Sequence, residues 1–88
     1  PAPDRTSPIL ITGCSSGLGQ ATAMLLREAG YLTVATARDP STLEPLAAIG
    51  CETLRLDVAD EASRTTTIAD IERRHGPVGV LINNAGYG

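Results

Sequence analysis

The chain has 88 residues and a formal net charge of −3. It is 42% hydrophobic, and its aromatics are two tyrosines. That bounds it to one small globular domain with an aliphatic core. It carries no basic patch, no apolar run near membrane-spanning length and no Cys/His cluster. Nucleic acid, membranes and a structural metal are therefore poor partners.

Residues 1–7 are polar and proline-rich and lack the apolar stretch of a signal peptide, so they read as a flexible tail ahead of a folded part over 8–88. The first predicted strand, Pro8 to Thr12, runs into Thr12-Gly13-Cys14-Ser15-Ser16-Gly17-Leu18-Gly19. A strand, a glycine turn and a helix in succession can hold a diphosphate on backbone N–H groups at the positive end of the helix dipole. Gly13 permits a tight turn, Gly17 leaves room for a pyrophosphate, and Gly19 lets the helix lie close to the strand. The spacing is G-x-x-x-G-x-G rather than the commoner G-x-G-x-x-G. An NTPase loop is excluded, because Gln20 follows Gly19 and the chain has no lysine. Taken alone, the motif is also compatible with a glycine-rich turn that binds nothing.

A helix follows over Leu18 to Ala29, with Leu18, Ala21, Thr22, Leu25, Leu26 and Ala29 on one apolar face; Gly30 stops it. Tyr31 to Ala37 is β-branched and reads as the second strand, broken by Pro40. Ser41-Thr42-Leu43-Glu44 has the form of a capping box for a short helix to about Ile49. Cys51 to Leu56 alternates as a third strand. Asp60 and Glu61 open a longer helix with Ile68, Ile71 and His75 on one face, ended by Gly76-Pro77. Val78 to Ile82 is apolar on both faces, as a buried parallel strand should be.

This alternation predicts an α/β fold, the first half of a Rossmann-type doubly wound parallel sheet with strand order 3-2-1-4. Ligands in such sheets bind beyond the carboxyl ends of the strands. The polar clusters fall there: residues 12–19, Arg38-Asp39, Asp57-Val58 and Asn83 to Gly88. Cys14 and Cys51 are too few for a disulfide framework and read as free thiols, which suits a reducing, cytoplasmic setting. His75 reads as a charge partner at a helix end rather than a catalyst.

Thr12-Gly13-x-x-x-Gly17-x-Gly19 resembles the cofactor loop of the short-chain dehydrogenases/reductases. Asn83-Asn84-Ala85-Gly86 resembles that family's second signature, and Asp57 falls where the family has an aspartate near the adenine ring. The resemblance covers residues 8–88. It implies a nicotinamide dinucleotide bound by Thr12, Gly13, Ser15, Ser16, Gly17, Leu18, Gly19, Arg38, Asp57, Val58, Asn84, Ala85 and Gly86. It further implies hydride transfer to or from a small ketone or alcohol, in a homo-oligomeric parent. Thr12 would tie the glycine loop to the Asn83–Gly86 segment.

Arg38 bears on the choice of cofactor. An NAD site places an acid at the end of the second strand to accept from the ribose hydroxyls. Ala37 stands there and cannot, whereas Arg38 can clamp a 2′-phosphate with its planar fork. NADP(H) is therefore preferred. Asp39 keeps NAD(H) open, and a solvated Arg38 paired with Asp39 is the alternative. Ser16 stands where many NADP-preferring relatives carry a basic residue. The family's chemistry uses a serine and a Tyr-x-x-x-Lys pair, and neither Tyr31 nor Tyr87 can be that tyrosine. No catalytic residue is assigned, and the chain reads as the N-terminal, inactive part of a longer oxidoreductase with an uncovered apolar strand edge. A non-catalytic nucleotide sensor on the same fold, and a truncated product without function, are the competing readings.

Overall fold

In a computed structural model that describes residues 6–84, four strands form one parallel sheet: β1 (Ile9–Ile11), β2 (Thr33–Ala37), β3 (Glu52–Arg55) and β4 (Val80–Ile82). Their order is β3-β2-β1-β4, as the alternation predicts. Leu10 stands between Val34 and Leu81, and Ala35 is in register with Thr53. The helices are α1 (Gly17–Glu28), α2 (Glu44–Ala48) and α3 (Glu61–His75), with a 3-10 turn at Pro40–Leu43 leading into α2.

The sheet is covered on both faces. Ile9, Ile11, Ala35 and Ala37 pack against Ala23 of α1, Leu43, and Leu46 of α2. On the other face Leu10 and Val34 pack against Ile71 of α3, joined by Ile68, Leu54 and Val78. Because all four strands run parallel, their carboxyl ends, with the loops that follow them, gather at one edge of the sheet.

Three local expectations are corrected. The apolar face of α1 is not the one that packs. Leu18 and Leu25 are 73% and 67% exposed, and Ala21 and Ala29 are exposed as well. The helix seats through Gly19 and Ala23, with Leu26 half-buried. Backbone proximity selects the small residues: a Cβ on Gly19 would stand 2.3 Å from the Gly13 carbonyl oxygen.

Nor does the Ser41–Glu44 capping box form. Asp39 is the cap of the 3-10 turn, its carboxylate accepting from the Ser41 N–H, and Pro40 follows at the first position, where a missing N–H costs nothing. On β4, Val80 and Ile82 are half-buried, but Leu81 is 57% exposed. It projects on the α3 side of the sheet, in register with Leu10.

The long helix α3 is bounded by its own chemistry. Asp60 accepts from the N–H groups of Ala62 and Ser63 at 3.0 and 3.4 Å, and Gly76 ends the helix at φ 87°. Arg73, Arg74 and His75 complement the negative end of its dipole. Arg74 also reaches β3, donating to both Glu52 oxygens at 2.6 and 2.8 Å, while His75 lies 3.0 Å from Glu52 and Arg73 pairs with Asp70. The Arg74 hydrogen bonds are the main reason the Glu52 and Asp70 carboxyls are held below their usual ranges. His75 thus closes its own helix and also contacts a carboxylate of the neighbouring strand.

Candidate functional site

The ends of β1 and β4 meet at one hydroxyl. At the end of β1, Thr12 Oγ1 donates to Asn83 Oδ1 at 3.0 Å and accepts the Asn84 backbone N–H at 2.9 Å. Asn84 Nδ2 adds a 3.4 Å bond to the Gly13 carbonyl, and the Thr12 N–H donates to Ile82 O at 3.0 Å. A hydroxyl has one proton and two lone pairs, so it can serve both roles at once. The glycine loop and the segment after β4 are thereby joined, as the sequence analysis expected of Thr12.

Cys14 anchors the loop from below. It is fully buried, its N–H donates to Thr36 O at 3.0 Å, and its thiol contacts Ile11 O at 3.4 Å. Thr36 Oγ1 shares that same carbonyl at 2.8 Å. Burial pushes the Cys14 thiol up to about 11, so it is an inert packing group. With Cys14 turned inward, Ser15, Ser16, Gly17 and Leu18 are left on the surface. Gly17 sits at φ 64°, and a Cβ there would meet nothing within 4 Å. The backbone is thus left-handed and open on one side, where a bound group can approach it. Ser16 is the N-cap of α1 and makes no side-chain cap bond, so its hydroxyl is not committed to the helix's own first turn.

Beyond β2, Ala37 is buried and Arg38 is exposed. Among the described residues nothing pairs with the Arg38 guanidinium. The alternative pairing with Asp39 is corrected: Asp39 Oδ1 instead accepts from the Ser41 N–H at 3.0 Å and the Ser41 hydroxyl at 2.7 Å. Those two bonds, the hydroxyl's first, hold the Asp39 carboxyl below its ordinary value.

Beyond β3, Asp57 Oδ1 accepts the Ala59 N–H at 3.0 Å, and the Asp57 N–H donates to Ser63 Oγ at 3.1 Å. Arg64 Nη1 donates to the Val58 carbonyl. Ser63 and Arg64 were missed from the sequence, as were Thr36 and Cys14 as anchors. All four act on backbone groups brought near by the fold, and only the Asp57-x-Ala59 turn had a local signal. Ala85 and Gly86, and Tyr87 beside them, lie outside the described residues.

The candidate residues after β1, β2, β3 and β4 therefore share one edge of the sheet, and Thr12, Gly13 and Asn84 are in direct contact. A separate shallow groove of about 600 Å³ between β3 and α3 is lined by Leu54, Arg55, Thr66, Asp70 and Arg73 among others, and by none of the candidate residues. Among the described residues no helix is long and apolar enough to cross a membrane, and no cluster of His, Cys, Asp and Glu could hold a metal ion.

The sequence model of the short chain dehydrogenases matches residues 7–88. A short-chain dehydrogenase/reductase from Pestalotiopsis microspora is 43% identical over 89% of the chain and 28% of its own length. An NADPH-dependent 1-acyldihydroxyacetone phosphate reductase from Schizosaccharomyces pombe is 40% identical over 89% of the chain and 27% of its own length. The crystal structure of a short-chain dehydrogenase from Streptomyces avermitilis superposes with a TM-score of 0.86 at 40% identity, covering 91% of the chain and 30% of that protein. The chain thus spans less than a third of the length of each of these proteins.

Proposed function

Because the chain belongs to the short-chain dehydrogenase family, we propose that it is the NADP(H)-binding portion of an oxidoreductase that moves hydride between a nicotinamide cofactor and a ketone or alcohol. The observation that carries the cofactor choice is Arg38. It is exposed, without a partner among the described residues, and next to an alanine where an NAD site has an acid. The NADPH-dependent reductase among the relatives supports the same choice.

The residues present fit such a cofactor. Gly17 offers a left-handed backbone with open space beside it, suited to a pyrophosphate at the start of α1. Ser15 and Ser16 add exposed hydroxyls. Asp57 Oδ1 is held by Ala59, which orients the carboxylate that would meet the adenine, and Arg64 steadies the Val58 backbone beside it. Thr12 holds Asn84 and the glycine loop at one spacing, so that both can line the same ligand. When bound, the nicotinamide supplies the hydride chemistry; this chain's residues bind and orient it. Both cysteines are free and buried, which supports a reducing compartment such as the cytoplasm.

Titration of the intact protein with NADPH and with NADH, followed by turnover on a panel of ketones, tests the proposal. Tighter NADPH binding with ketone-dependent NADPH oxidation is the expected result. Binding without turnover on any carbonyl would favour the sensor, and equal binding of the two dinucleotides would remove the role given to Arg38.

A further inference from the structure

Arg38 is held between two fixed points. On one side the Ala37 carbonyl accepts the Leu56 N–H at 2.9 Å, which ties the end of β2 to the end of β3. On the other, Asp39 is clasped by the turn that follows it. Its Oδ1 accepts from the N–H and the hydroxyl of Ser41 at 3.0 and 2.7 Å, and its carbonyl accepts from the N–H and the hydroxyl of Thr42 at 3.1 and 2.7 Å.

We infer that Asp39 is a positioning residue of the cofactor site: its carboxylate, turned onto Ser41, fixes the chain so that Arg38 faces the adenosine 2′-phosphate, and it does not itself bind the ribose. This rests on the NADP(H) reading above. An acid that serves a ribose directs its oxygens at the two hydroxyls. Here one oxygen already takes two donors from the chain's own turn. A carboxylate left loose beside Arg38 would also repel a 2′-phosphate and compete for the guanidinium. With Oδ1 clasped to Ser41, the carboxylate makes no ion pair with Arg38, whose fork stays available for phosphate oxygens. The acid that kept NAD(H) open in the sequence is thereby given a structural task.

The capping role and the ribose role predict different variants. Asparagine retains the acceptor oxygen without the charge, serine is an alternative cap, and alanine has neither. In the intact protein, Asp39→Asn and Asp39→Ser should bind NADPH as tightly as the wild type or tighter. Asp39→Ala should weaken NADPH about fivefold, the size of a lost helix cap, and leave NADH within about twofold. Ser41→Ala, which removes the 2.7 Å bond but keeps the carboxylate, should fall between. Thermal melts establish that the exposed substitutions leave the fold intact.

If Asp39→Asn and Asp39→Ala each weaken NADH by about fivefold or more, the carboxylate binds the ribose and the inference is wrong. It is equally wrong if Asp39→Ala leaves NADPH binding and the NADPH-to-NADH ratio unchanged. The wild-type ratio reports separately on the NADP(H) reading, because the order Asn and Ser above Ala can hold whichever dinucleotide is preferred.

Discussion

Thr12 and Asn84 are 72 residues apart in sequence, yet the Asn84 backbone N–H donates to the Thr12 hydroxyl at 2.9 Å. The same hydroxyl donates to Asn83, so one side chain bonds to two residues of the segment after β4. Thr12 is itself buried, 3% exposed. Thr12→Val keeps the shape and removes both bonds, leaving the Asn84 N–H without this acceptor. The expected cost is about 1–3 kcal/mol in urea unfolding, together with weaker cofactor binding. Thr12→Ser should restore most of both.

Gly19 and Gly17 should fail in different ways. A Cβ on Gly19 meets the Gly13 carbonyl oxygen at 2.3 Å and Asn84 Nδ2 at 2.6 Å, and the first is backbone that cannot step aside. Gly19→Ala should therefore lower stability by about 1–3 kcal/mol, the range for overpacking. A Cβ on Gly17 meets nothing, and only its φ of 64° opposes it, at about 1–2 kcal/mol. Gly17→Ala should fold and yet lose NADPH, because the added carbon stands where the pyrophosphate approaches. Circular dichroism melts beside fluorescence titrations separate the two. A Gly17→Ala protein that binds NADPH normally would contradict the steric assignment.

The strand order and the glycine loop were legible because they rest on local pattern: β-branched runs, helix stops and a fixed glycine spacing. The face of α1 was not. Periodicity marks Leu18 and Leu25 as a stripe, but the close approach of Gly19 to Gly13 rotates the helix so that Gly19 and Ala23 face the sheet. The true cap at Asp39 was obscured by the equally plausible Ser41 two residues on. Thr36, Ser63 and Arg64 had no signal, since each acts on a backbone group that only the fold brings near.

Alkaline pH should destabilise the protein through Cys14. Its thiol is raised from 9.0 to about 11 in the folded state, so the stability it contributes is complete below pH 9.0 and is lost as pH rises toward 11. The expected loss is on the order of 1–2 kcal/mol. Cys14→Ala should flatten that limb of the stability–pH curve. A thiol reagent should label Cys14 in the native protein slowly.

Acid should act through Glu52. Its carboxyl is lowered chiefly by Arg74, so its contribution is present above the ordinary value of 4.5 and is lost as pH falls through the depressed one. Arg74→Met should make acid unfolding shallower while leaving the alkaline limb unchanged. An acid limb identical to the wild type would show that the network contributes nothing.

Whether Arg38 selects a 2′-phosphate is decided by calorimetric titration of the wild type and Arg38→Ala with NADPH and with NADH. Arg38→Ala should lose about 1.5–3 kcal/mol toward NADPH, the scale of a charge-assisted hydrogen bond, while NADH binding hardly changes. Equal losses for the two cofactors, or none for NADPH, would contradict that selection.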